Sequence, residues 1–166
     1  MKIYCVTGWK NTGKTGLMER LVRDMAGRRL QVSTIKHAHH DVETDLAGRD
    51  SYRHRQAGAR EVVLSSPRRW AVMYELRGNP EPALKDLIAR LTPVDIVLVE
   101  GYKHSSHPKI EVYRGETGCT LLAPGNPRIR AVVSNIPLSR LSMPVLPLGD
   151  TTAIADFILH DLGMMT

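Results

Sequence analysis

Residues 8–15 read Gly-Trp-Lys-Asn-Thr-Gly-Lys-Thr, and they limit what the rest of the chain can fold into. The spacing G-x-x-x-x-G-K-[ST] is that of a phosphate-binding loop. An apolar run of β type, Ile3 to Val6, leads in, and apolar residues at helical spacing (Leu17, Leu21, Val22, Met25) lead out. The chemistry requires these residue types. Gly8 and Gly13 admit backbone conformations closed to residues with a Cβ, so successive N–H groups can turn inward as an anion nest. The helix expected from Lys14 adds the positive end of its dipole. Lys14 supplies a mobile charge for the β- and γ-phosphates, and the Thr15 hydroxyl is placed to ligate Mg2+. Gly8, Asn11, Thr12, Gly13, Lys14, Thr15 and Gly16 are therefore the expected nucleotide-binding residues, with Lys14 and Thr15 the catalytic candidates. The bland alternative is a Gly-rich strand-to-helix turn that binds nothing. The full pattern, set between a strand and a helix, weighs against it.

Such a loop needs a sheet behind it, and 166 residues suffice for one domain, 1–166, with a real core. No run approaches the roughly 18 apolar residues of a membrane span. Met1-Lys2 leads directly into the first strand, so no signal peptide is expected. Cys5 and Cys119 have no motif spacing and suit a reducing cytoplasm. The net charge of +6 favours phosphates or acidic partners. Arg49, Arg53, Arg55 and Arg60 follow closely on Lys36, His37, His39 and His40, which concentrates positive charge on the expected phosphate side. With aromatic residues at only 5%, a stacking platform for nucleic acid is poorly supported, and neither nucleic acid nor membrane is an expected partner.

In order, the chain predicts a strand at 2–7, a helix at 14–26 closed by Gly27, and a strand at 31–36. A strand-helix-strand unit of this length implies a parallel pair with a right-handed crossover. Residues 37–49 are polar and read as a loop, and a helix starts at Asp50-Ser51 and runs to Gly58. Strands at 61–65 and 70–76 suggest an antiparallel extension. Leu84, Leu87, Ile88 and Leu91 mark an amphipathic helix over 81–91. Further strands follow at 109–114, 129–133 and 145–148. Asp150 or Thr151 caps a final helix with Ile154, Phe157, Ile158 and Leu162 inward, closed by Gly163. The fold class is α/β: a phosphate-loop (P-loop) NTPase fold, a mostly parallel twisted sheet with flanking helices and the antiparallel extension.

The second informative stretch is Val94 to Gly101, a nearly continuous apolar strand ending in Glu100. Such a run suits a central parallel strand, and its C-terminal end lies where open α/β sheets bind ligands. Alone, Glu100 reads as a solvated strand-end acid; beside a phosphate loop it reads as a contact of Mg2+ or its water shell. A Mg2+ site wants a further carboxylate, and Asp50 is the first choice, Asp41 the second. Lys36 and His37, with Asp41 and Arg53, are the candidates for holding a substrate or partner. The histidine cluster invites a zinc reading, which His104 and His107 could join only if the fold brings them close. No Cys or paired downstream His completes a set. No Asn-Lys-x-Asp box is present to read guanine. Ser134-Asn135, or residues around Leu148-Gly149-Asp150, could reach a base edge, so the motifs leave GTP and ATP open. Trp9 fills a free position of the loop and suits packing. No residue stands out as a base for activating water.

The chain resembles the MobB family, the molybdopterin-guanine dinucleotide biosynthesis adaptor proteins. The resemblance covers nearly the whole length. It rests on Gly8 to Thr15, Ile35-Lys36-His37-Ala38-His39-His40-Asp41, Gly48-Arg49-Asp50-Ser51-Tyr52-Arg53, Gln56-Ala57-Gly58-Ala59, Arg69-Trp70-Ala71, and Val99-Glu100-Gly101-Tyr102-Lys103 with Pro108-Lys109-Ile110. It implies a homodimer that binds GTP and Mg2+, hydrolyses GTP weakly, and assists a MobA-type guanylyltransferase in joining GMP to molybdopterin. Molybdopterin is then a further ligand. By likeness to dethiobiotin synthetase, Thr15, Asp50 and Glu100 would surround the metal. The reading from a different class is a small-molecule kinase or ligase using the same loop, with the Lys36 to Arg53 region holding an acceptor.

Overall fold

The computed structural model describes residues 1–38 and 44–165. The chain divides into two compact units, one formed by 1–37 with 87–166 and the other by 38–86.

The first unit is built on six parallel strands in the order β2-β5-β1-β6-β7-β8. These are β1 (Lys2–Thr7), β2 (Val32–Lys36), β5 (Ile96–Glu100), β6 (Lys109–Tyr113), β7 (Ile129–Ser134) and β8 (Val145–Pro147). The expected neighbours β1 and β2 are parallel but do not touch: β5 lies between them, paired to both. The physical reason is the composition of β5. All five of its residues are buried, so it takes an interior place, while β2, only partly buried, goes to the edge.

One face of this sheet carries Tyr4, Val6, Ile96, Leu98, Ile110, Val112, Ala131 and Val133. They pack on α1 (Lys14–Gly27) through Leu17, Leu21 and Met25, and on α4 (Thr151–Asp161) through Ile154 and Ile158. Burying one such side chain fully is worth about 1.5–3 kcal/mol, so this layer holds the unit together. Asp150 caps α4 by accepting a hydrogen bond from the Ala153 N–H at 3.0 Å, as expected. Phe157 and Leu162 lie at the margin of this core, partly buried.

The end of α1 differs from expectation. Gly27 is its last helical residue, and the left-handed position falls on Arg29, at φ 68°. The Arg29 N–H reaches Ala26 O at 2.9 Å and the Leu30 N–H reaches Met25 O at 3.1 Å, the paired closure that usually has glycine where Arg29 stands. The side chain of Met25, fully buried, sets where the helix can stop, and tertiary packing overrides the local glycine signal.

The opposite face of β1 and β6 is covered differently. Cys5, Lys109 and Glu111 are fully buried there, under backbone from the segments 102–106 and 121–123 rather than under a helix. A helix satisfies its own backbone; a loop does not, and buried polar side chains make up the difference. Lys109 Nζ donates to Lys103 O at 3.0 Å and Ser105 O at 2.7 Å. Glu111 accepts from the Leu122 N–H at 2.8 Å and the Ala123 N–H at 2.8 Å.

In the second unit, α2 (Asp50–Gln56) precedes an antiparallel hairpin of β3 (Glu61–Ser65) and β4 (Trp70–Tyr74). The hairpin forms a two-stranded sheet of its own rather than adding strands to the six-stranded one. Arg55 ties the unit internally, pairing with both Asp45 and Glu75. The helix expected over 81–91 is shorter, α3 (Leu84–Ile88). Pro80 and Pro82 disfavour helical conformation in the residues before them, so the first turn forms only after both. Asp41 lies outside the described residues, as do His39, His40 and Glu43.

Candidate nucleotide-binding site

The loop between β1 and α1 is shaped by its glycines. Gly8 sits at φ 142°, and a Cβ there would come within 2.4 Å of Val112 O on β6. Only glycine lets the loop leave β1 this close to its neighbour. Asn11 at φ 66° and Gly13 at φ 90° are both left-handed, which turns the chain around before α1. Gly13 is the helix N-cap and offers no side chain to the first turn. The N–H groups at a helix start are the ones that an anion takes.

Trp9 holds the loop from several sides. Its carbonyl accepts from Thr12 Oγ1 at 2.9 Å and from Lys14 Nζ at 2.6 Å. Its indole N–H donates to Thr120 O at 2.7 Å, and Lys103 Nζ lies 3.7 Å from its ring centroid. One N–H of the Lys14 ammonium is thus taken by backbone, which holds the group at the loop. Burial lowers the Lys14 pKa, nearby Glu100 raises it, and the like charges of Lys103 and Lys36 lower it again. An ammonium destabilised by burial and by its neighbours gains from added negative charge.

The pairing of β1 with β5 brings Glu100 beside Val6, one turn of loop from Lys14. Glu100 is 8% exposed. Its Oε1 accepts from Thr15 Oγ1 at 3.2 Å and stands 3.8 Å from Lys36 Nζ. Lys36 Nζ is also 3.5 Å from Thr15 Oγ1. Residues from β1, α1, β5 and β2 therefore meet at one sheet edge. His37 continues from β2: its backbone N–H donates to Glu100 O at 3.0 Å, and its ring stacks on Tyr102 at 4.6 Å. Gly101, at φ 98°, passes so close that a Cβ would lie 3.0 Å from His37 Cβ.

The structure thus gathers Lys14, Thr15, Lys36, His37 and Glu100 around the loop. Asp50 and Arg53 stand on α2 in the 38–86 unit. Among the described residues no group of three His, Cys, Asp or Glu side chains could hold a metal ion. The sequence reading missed Arg114, whose Nε donates to Thr12 O at 3.2 Å and whose guanidinium lies 3.2 Å from a Cβ built on Gly13. It also missed Glu111 and Lys109. A signal for the latter two was present: charged residues in a strand flanked by buried strands must find partners nearby.

A parallel sheet with a glycine-shaped loop at the C-terminal end of β1, leading into a helix and faced by an acid on the adjoining strand, defines a nucleotide-binding α/β protein of the phosphate-loop class. The chain belongs to the MobB family: residues 3–135 match the family described as Molybdopterin guanine dinucleotide synthesis protein B. It is 38% identical over 156 residues to the molybdopterin-guanine dinucleotide biosynthesis adapter protein of Haemophilus influenzae, covering 92% of this chain and 85% of that protein. It is 36% identical over 163 residues to the adapter protein of Escherichia coli, covering 95% and 91%. The crystal structure of a MobB protein homolog from Bacillus stearothermophilus matches the fold with a TM-score of 0.74 at 27% identity, over 99% of this chain and 100% of that one. No helix among the described residues is long and apolar enough to cross a membrane.

Proposed function

We propose that the chain binds GTP with Mg2+ and acts as an adapter for a MobA-type guanylyltransferase that joins GMP to molybdopterin. The observation that carries this reading is the convergence of Lys14, Thr15 and Glu100 at one sheet edge, with Thr15 Oγ1 3.2 Å from Glu100 Oε1. A hydroxyl and a carboxylate are the hard oxygen donors that Mg2+ takes, and this pair fits that ion. Thr15 and Glu100 would hold it, and it would neutralise charge on the β- and γ-phosphates. Lys14 would leave Trp9 O for the phosphates, and the N–H groups at the start of α1 would orient them. Slow hydrolysis of GTP is part of this proposal. Lys36 and His37 are proposed to face the pterin or the partner enzyme. The names of the relatives support the adapter role, and a cytoplasmic homodimer is the form proposed for it.

The test is titration and hydrolysis of GTP and ATP with Mg2+, with and without a molybdopterin guanylyltransferase. Tight triphosphate binding, turnover far below the roughly 1 per second of a kinase, and a gain in guanine dinucleotide formation with the partner are expected. Lys14→Ala should cost roughly a hundredfold or more in triphosphate affinity, since several charge-assisted contacts go with the ammonium. Fast, acceptor-dependent turnover without any partner would establish the kinase or ligase reading instead.

A further inference from the structure

We propose that the Asn135–Glu116 pair reads the Watson–Crick edge of a guanine base seated beyond β7 and β8. This rests on the nucleotide-binding reading and names the group that makes it guanine-specific. An open cavity of about 550 Å3 lies at the C-terminal ends of these strands, lined among others by Arg20, Arg114, Ser134, Asn135 and Leu148. One of its arginines, Arg114, reaches the phosphate loop, and the other, Arg20, links the first turn of α1 to the end of β8. Arg20 Nη1 donates to Gly16 O at 3.3 Å while its Nη2 donates to Leu148 O at 2.8 Å. Arg114 donates to Thr12 O, as above, and lines both this cavity and the adjoining one that contains Glu116. A nucleotide with phosphates on the loop and its base in the cavity would span these tethers.

The hydrogen bonds orient the reading groups. The Gly115 N–H donates to Asn135 Oδ1 at 3.2 Å, so the amide nitrogen must face the other way. It donates to Glu116 Oε1 at 2.7 Å. The second N–H of that amide then lies beside a carboxylate whose Oε2 accepts no hydrogen bond from the described residues. Donor next to acceptor is the complement of guanine, which presents the O6 acceptor next to the N1–H and N2–H donors. Adenine presents the reverse, an N6–H donor next to the N1 acceptor, and meets like with like at both positions. The pair supplies what an Asn-Lys-x-Asp box would, but with the amide at the end of β7 and the acid in the 3-10 turn Gly115–Thr117.

The experiment measures binding of GTP, inosine triphosphate and ATP, each with Mg2+, to the full chain and to its Glu116→Gln and Asn135→Ala variants. The unaltered chain should prefer GTP to ATP by about tenfold to a hundredfold, with inosine triphosphate, which lacks the 2-amino donors, between them. Glu116→Gln, an exposed isosteric change that leaves folding intact, should lower GTP affinity about tenfold while ATP stays within about twofold. Asn135→Ala should narrow the same preference. Equal affinity for GTP and ATP, or a preference that survives Glu116→Gln, overturns the inference and leaves nucleotide binding standing. Failure to bind any of the three overturns both.

Discussion

Two glutamates flank β1, and their surroundings are opposite. Glu100 on β5 lies beside Val6, and Glu111 on β6 lies beside Thr7. Both are buried, at 8% and 0% exposure. Glu111 has both oxygens taken by backbone N–H groups of Leu122 and Ala123, at 2.8–3.0 Å. Among the described residues, Glu100 has a hydroxyl at 3.2 and 3.5 Å, an ammonium at 3.8 Å on an exposed side chain, and the attraction of nearby Lys14. A carboxylate used up by backbone is a structural strut. A carboxylate desolvated and loosely partnered at the C-terminal edge of the sheet costs stability, and for Glu100 the proposed return is a bound Mg2+.

Removing the strut should give the larger stability loss. Glu111→Ala leaves two backbone donors without partners, which costs about 3 kcal/mol or more. Thermal unfolding should drop by roughly 6–12 °C for a chain of this size. A change no larger than that of a surface substitution would break the comparison, because it would mean solvent readily replaces the carboxylate.

Glu100→Gln should do the reverse. Its neutral isostere keeps the shape and gives up a loose, screened attraction to Lys36 and Lys14, so melting should stay within about 1–2 °C. Mg2+-dependent triphosphate binding should fall about tenfold, near 1.4 kcal/mol. Titration of GTP with and without Mg2+ checks this, and unchanged metal dependence would remove Glu100 from the site.

Burial pushes the Glu111 carboxyl up from 4.5, and its two backbone hydrogen bonds only partly offset this. The sign follows. The folded chain holds this proton more tightly than the unfolded one, so the associated stability is full below pH 4.5 and is lost as pH rises through the folded value. Against Glu111→Gln, which cannot ionise, the unaltered chain should lose ground over that window by at most about 1.4 kcal/mol per pH unit. Urea unfolding of both proteins across the window reads the difference. A difference that stays flat would mean the hydrogen bonds cancel the burial.

What the sequence showed of this contrast followed physical range. The phosphate loop was legible because its chemistry is local: Gly8, Gly13, Lys14 and Thr15 lie within one loop and the first turn after it. Glu100 was legible because an apolar run ending in an acid announces both a central strand and a ligand edge. Glu111 was not, since its meaning depends on the backbone of residues 122 and 123, which β6 alone does not specify. The neighbours of β1 were hidden for the same reason: β5 enters the sheet some sixty residues after β2 and displaces it. Arg114 ends the strand expected over 109–114 and Glu116 follows just beyond it, and neither carries a local motif that names its partner. Asn135 was noticed as a candidate base contact, but its bond to Glu116 joins residues 19 apart in the chain and no local pattern announces it.

The smallest effect expected concerns Lys36, the cation nearest Glu100. The pair spans 3.8 Å with the lysine side chain 58% exposed, so water screens it and the contact is worth a few tenths of a kcal/mol at most. Lys36→Ala should therefore leave melting within about 1–2 °C. If Glu100 is held open for a ligand, the lysine's place is to balance the carboxylate until that ligand arrives. The variant should then bind Mg2+ with GTP as well as the unaltered chain, or slightly better, and lose more in partner-dependent dinucleotide formation. A melting drop as large as that of Glu111→Ala would show that Lys36 and Glu100 form a structural ion pair, and the distinction between the two glutamates would collapse.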